Sequence, residues 1–85
     1  MNSNPYDIEE VYQTMNVRLA EEVDSLPMSH KEVIRQLECS SSVLYNWLNG
    51  KARPSPFYLA KLYLLGCDVI YILTGIHTQG GDFGA

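Results

Sequence analysis

SHKEVIRQLECSSSVLYNWLNG, residues 29–50, decides the reading of this chain. Ser29 and Glu32 have the S-x-x-E spacing of a capping box, in which side chains satisfy the free amides at a helix start. Val33, Ile34 and Leu37 then form one apolar stripe. Ser40 is a second cap, and Val43, Leu44, Trp47 and Leu48 form a second stripe at helical spacing. The spacing predicts helices over about 30–37 and 41–48 with a tight turn between them. Helices this short do not stand alone in water, so they pack on something larger.

The flanking segments supply it. Gly50 is a helix stop, and Lys51-Ala52-Arg53-Pro54 forms a basic loop. Ser55 caps a fourth helix with Pro56 at its first position, and Gly66 ends it. Leu59, Leu62, Tyr63 and Leu65 are its core-facing residues. Asp68 caps a fifth helix, Val69–Leu73, which Gly75 terminates. On the amino-terminal side, Asp7 and Glu10 repeat the capping spacing. Ile8, Val11, Tyr12, Met15, Leu19, Val23 and Leu26 recur every three or four residues, which predicts one long helix over about 7–25. Pro27 separates it from the next. The expectation is all-α: five helices in a single domain over 1–75, then a Gly-rich, flexible tail over 76–85.

Composition narrows the function classes. An 85-residue chain with 46% apolar residues suffices for one small core. No apolar run is long enough to span a bilayer, and the polar, acidic amino terminus carries no secretory or transit signature, so a cytoplasmic location is expected. Cys39 and Cys67 lack metal-ligand spacing and read as reduced, partly buried thiols. Cys39, at a helix start, has a redox-sensing reading as well as an apolar one. No paired carboxylates, Gly-rich phosphate loop or nucleophile–base arrangement is visible, so no enzyme activity, cofactor or metal is expected.

The net charge of −4 argues against a generic nucleic-acid binder, but the distribution is uneven. Residues 1–28 carry six acids against Arg18 alone. Residues 29–53 carry Lys31, Arg35, Lys51 and Arg53 against Glu32 and Glu38. Opposite the apolar stripe of the third helix lie Ser41, Ser42, Tyr45, Asn46 and Asn49. All hydrogen-bond and none is acidic, which suits a helix that enters a DNA major groove.

Residues 29–75 resemble the helix-turn-helix domains of phage repressors and related Xre/Cro-type regulators. Three pieces carry the resemblance: SSSVLYNWLNGKARPS is similar to the recognition helix and its loop, YLAKLYLLGCDV to the fourth helix, and DVIYILTG to the ending of phage repressor amino-terminal domains. The resemblance implies a five-helix lambda-repressor-like DNA-binding domain whose helix-turn-helix is formed by the second and third helices. It implies base contacts from Ser41, Ser42, Tyr45 and Asn46. Backbone contacts would come from His30, Ser40, Asn49, Lys51 and Arg53. Two positions depart from the family pattern: Ile34 replaces a small residue, and Glu38 replaces the turn glycine whose φ is positive.

The expected function is a small sequence-specific transcriptional regulator of phage or prophage type. It would bind operator DNA as a homodimer with its third helix in the major groove. Val69, Tyr71, Ile72, Ile76 and Phe83 are the candidate dimer residues. The alternative is a helix-turn-helix fold turned to protein binding, an antirepressor or inhibitor of a regulator, with the acidic first helix as a docking surface for the protein partner. The acidic balance, Glu38 and the lack of Arg on the third helix favour it.

Overall fold

Side-chain oxygens start most of the helices. Asp7, Ser29, Ser40, Ser55 and Asp68 each accept a hydrogen bond from an amide two or three residues on. In the computed structural model, which describes residues 7–78, these caps open α1 (Ile8–Gln13), α3 (His30–Leu37), α4 (Ser41–Leu48), α5 (Pro56–Leu65) and α6 (Val69–Thr74). The remaining helix, α2 (Met15–Asp24), has no side-chain cap. The described residues contain no strand, and the all-α expectation holds.

The single first helix expected over 7–25 is two helices. Thr14 breaks it, with φ −98° and ψ 6°. Its hydroxyl donates back to the Glu10 carbonyl at 2.9 Å, a bond that competes with the helical ladder. Arg18 completes the break. Its Nη1 donates to the Thr14 hydroxyl at 2.6 Å and its Nη2 to the Val11 carbonyl at 2.6 Å. The Nε reaches the Tyr71 and Ile72 carbonyls of α6 at 3.0 Å each. Arg18 is 8% exposed, and among the described residues no carboxylate pairs with it. Its charge is balanced by the negative carbonyl ends of two helices.

α2 is the central element, packed against α1, α3, α4 and α6. Leu19 and Val23 from α2 meet Val33 and Leu37 of α3, Leu44 and Trp47 of α4, Leu62 of α5 and Ile72 of α6 in one core. Trp47 meets Tyr58 edge-on, with ring centroids 5.3 Å apart. Leu59 and Leu65 are half-buried against this core, but Tyr63 is 66% exposed, so its expected core position is corrected. It lies one residue from Leu62, which takes the single fully buried position on α5.

The first residues of the expected tail pack on α6 and its cap. The His77 ring stacks on Tyr71 with centroids 3.7 Å apart, and Thr78 donates its amide and hydroxyl to the Asp68 carboxylate. Burial opposes ionisation of Asp68, but hydrogen bonds from the Tyr71 amide, the Thr78 amide and hydroxyl, and His77 outweigh it and hold the carboxyl below its ordinary range. Residues 79–85, with Phe83, lie outside the described residues.

Candidate nucleic-acid interface

α3 and α4 are closed at both ends by their own sequence. The Ser29 hydroxyl accepts from the Glu32 amide at 3.1 Å. The Glu32 carboxylate does not complete a reciprocal box; it turns to Arg35 and Gln36, bonded at 2.6 and 2.7 Å, and these bonds lower its pKa. At the far end Glu38 takes a left-handed conformation, φ 58° and ψ 44°. The Cys39 amide then reaches back to the Ile34 carbonyl at 3.3 Å. Ile34 packs half-buried against the core, so the larger side chain is accommodated there.

Ser40 opens α4, accepting from the Val43 amide at 3.3 Å. Gly50, with φ 80°, closes it, and the Lys51 amide returns to the Asn46 carbonyl at 2.8 Å. A second, distant group fixes this end. Asn16 of α2 is buried, and its Nδ2 donates to the Trp47 carbonyl at 2.7 Å and to the Ala52 carbonyl at 2.9 Å. The loop after α4 is therefore pinned to the centre of the fold.

With both ends fixed, α4 buries Leu44 and Trp47 and leaves Ser41, Ser42, Tyr45, Asn46 and Asn49 exposed, as the stripe predicts. Ser40 is exposed too, but its hydroxyl is engaged by the cap and lies 3.2 Å from Ser42 Oγ. His30, half-buried at the start of α3, presents its ring edge to Tyr45 with centroids 5.9 Å apart. The row on α4 and the first residue of α3 thus form one surface. Lys51 lies exposed beside it.

Arg53 is held by α1. Its guanidinium lies over the Tyr12 ring, 4.0 Å from the centroid, and Nη2 donates to the Tyr12 carbonyl at 3.2 Å. Its Nε is buried without a partner among the described residues. An aromatic face and a carbonyl of α1 hold this side chain, which also lines a groove with Asn49 and Gly50.

The electrostatics are mixed. His30 Nε2 lies 2.9 Å from Asp24 Oδ1, which brings a carboxylate to the edge of the surface. Sequence reasoning missed Asp24, because Pro27 and a turn separate it from His30 and no periodicity links them. Arg35 is occupied by Glu32. Lys61 reaches Glu38 Oε1 at 3.4 Å and donates to the Leu37 carbonyl at 2.9 Å. Among the described residues, Lys31 and Lys51 are the lysines of this face without an ion-pair partner. Cys39 is half-buried against the core, and burial raises its thiol pKa. Burial, with Glu22 nearby, pushes Cys67 up to about 12.

The expected dimer residues are scattered. Ile72 is fully buried, so its place in an interface is corrected. Val69 is half-buried against the core. Tyr71 is held by His77 and by a hydrogen bond from its hydroxyl to Glu21, which raises its pKa. Ile76 is exposed. The described residues contain no cluster of side chains able to hold a metal ion and no helix long and apolar enough to cross a membrane.

No family model matches the chain, and comparison with curated proteins and with solved structures finds no match.

Proposed function

We propose that this chain is a small sequence-specific DNA-binding regulator of phage or prophage type. In this reading α3 and α4 form a helix-turn-helix within a lambda-repressor-like domain, and α1 and α2 together stand where that fold has its first helix. The observation that carries it is the exposed row Ser41, Ser42, Tyr45 and Asn46, uncharged hydrogen-bonding groups on a helix with both ends fixed. Asn46 would read adenine through its amide, and Tyr45 would meet a thymine methyl or a phosphate. His30, Asn49 and Lys51 would contact the backbone. One copy neutralises few phosphates, so two copies, each placing α4 in successive major grooves about one helical turn apart, would supply the affinity. The regulation would be steric, by blocking or recruiting polymerase.

The test is selection of random duplex DNA on the folded protein at near-physiological salt, read by sequencing. An enriched palindrome is expected. Asn46→Ala should weaken binding to that sequence alone, by about 1–3 kcal/mol, whereas Lys51→Ala should weaken all duplexes and lower the salt slope by about one. Equal, sequence-blind losses from both substitutions would remove base reading by α4.

The second reading, a protein-binding antirepressor or inhibitor, is favoured by Asp24 and Glu38, which bring carboxylates to the rim of the same surface. It predicts no enriched duplex, and duplex binding without the steep loss on added salt that counter-ion release gives.

A further inference from the structure

Arg53 stands between two grooves. One is the cleft under α1, where it meets Val11 and Tyr12 of α1 with Pro54, Leu59 and Leu73. The other runs from α2 to the end of α4, where it meets Asn49 and Gly50. On the α1 side its guanidinium covers the Tyr12 ring and donates to the Tyr12 carbonyl, while its Nε is buried without a partner among the described residues. A guanidinium has five donors, and a buried one left unpaired favours any arrangement that pairs it.

The loop backbone around Arg53 is fixed. The Lys51 and Ala52 amides donate to the Asn46 carbonyl, the Ala52 carbonyl accepts from Asn16, and Pro54 is buried. Only the Arg53 side chain is left to change sides. Its holder is itself lightly held. Among the helices α1 packs on α2 and α6 alone, and it buries none of its residues. Thr14 divides it from α2 with non-helical angles, and Ile8 and Tyr12 are exposed. A short element with so little buried surface belongs to the low-stability end of a fold. Glu21 and Asp24 also line the second groove, but the Tyr71 hydroxyl donates to Glu21 and His30 lies against Asp24.

We propose that the contact between Arg53 and Tyr12 is an autoinhibitory latch: α1 withholds a cation of the loop after α4, and duplex DNA draws it off the ring to a phosphate beside Asn49 and Lys51. The latch rests on the operator reading, because a phosphate oxygen is the acceptor that pairs the released donors, two at a time. While the latch is closed the competent form is a fraction of the whole, and the affinity for duplex falls by that fraction.

The Nε–H proton resonance of Arg53 in the full chain reads the latch directly, at mildly acidic pH where guanidinium protons exchange slowly. Its loss in Arg53→Met assigns it. A proton held over a ring face is shifted upfield, and that position is expected in the free protein. Saturation with a random-sequence duplex at low salt should move it to a ring-free position, a readout that needs no variant. Salt titrations of duplex binding read the consequence. Tyr12→Leu, at a half-exposed position, should tighten binding about two- to fivefold, the strength of an exposed cation–π contact, with the salt slope unchanged. Arg53→Met should lower the slope by about one and cancel the gain from Tyr12→Leu in the double variant. An Nε–H that stays upfield in the complex, a Tyr12→Leu variant that binds no tighter than the parent, or a gain that persists without Arg53 overturns the latch and leaves the operator reading standing. A parent whose duplex binding does not weaken with salt overturns the operator reading, and the release with it.

Discussion

In the α3–α4 unit each helix end is closed by residues a few positions away: Ser29 and Ser40 at the starts, Glu38 and Gly50 at the ends. In the α1–α2 arm the holding contacts cross the chain. Arg18 reaches 53 and 54 residues ahead to the α6 carbonyls, and Asn16 reaches 31 and 36 residues ahead to the loop after α4. The candidate surface depends on both kinds of contact. Local caps give α4 its length and exposed row, and Asn16 fixes the loop that presents Lys51. The two regions therefore differ in how they should fail. Loss of a cap frays one helix end, whereas loss of a buried polar group takes a donor from several carbonyls at once.

Arg18→Met is the strongest way to break this contrast. It keeps the volume but leaves the Ile72 carbonyl without its donor and takes one of two donors from the Val11 and Tyr71 carbonyls, which keep the Thr14 hydroxyl and the Gly75 amide. The lost charge-assisted bonds and one buried acceptor left without a donor make a loss of about 3 kcal/mol the expected result, with the melting temperature lowered by more than about 10 °C. Replacing a buried ion with an apolar group can also be neutral. A melt at the parent temperature would therefore show that water or a small shift satisfies those carbonyls, and that the arm is held by its apolar stripe.

Asn16→Ala should cost less, about 1–3 kcal/mol, and in a particular place. The two carbonyls it serves belong to Trp47 and Ala52. Hydrogen exchange should speed up over residues 49–53 while α3 and α6 keep their protection. Uniform loss of protection would mean that Asn16 supports the whole core and not the loop.

The same division explains what the sequence disclosed. The caps at Asp7, Ser29, Ser40, Ser55 and Asp68 were legible because a side-chain oxygen and the amide it accepts from lie within three residues. The exposed row of α4 was legible because helical spacing separates it from Leu44 and Trp47. Three features had no local signature. The break at Thr14 needs Arg18 to hold both sides of it, and the apolar periodicity runs through it unbroken. The placement of the Arg53 guanidinium depends on Tyr12, far upstream, which offers a ring. Ile72 sits in a segment apolar all round, so spacing does not distinguish buried from free positions. Asn16 was the one available clue: a polar residue spaced from Leu19 and Val23 on the core-facing stripe.

The smallest expected effect sharpens the comparison from the other side, because it should strengthen a local closure. Glu38 is the one non-glycine residue with positive φ among the described residues. A left-handed conformation costs an L-residue about 1–2 kcal/mol, and glycine escapes that cost while giving up more freedom on folding. Glu38 recovers little through Lys61, since its carboxylate is 81% exposed and the pair is 3.4 Å apart. Lys61 keeps its bond to the Leu37 carbonyl without Glu38. Glu38→Gly should therefore stabilise the domain by about 1 kcal/mol, raising the melting temperature by roughly 4–8 °C. Glu38→Gln removes the charge but retains the strain, and should leave the melt within about 0.5 kcal/mol of the parent. In the operator reading both substitutions should tighten duplex binding, since each removes a carboxylate beside α4. A gain in stability from glycine alone, with a gain in duplex affinity from both, would separate backbone strain at this turn from its charge. Equal melts for the two variants would place the effect of Glu38 in the carboxylate and not in the backbone.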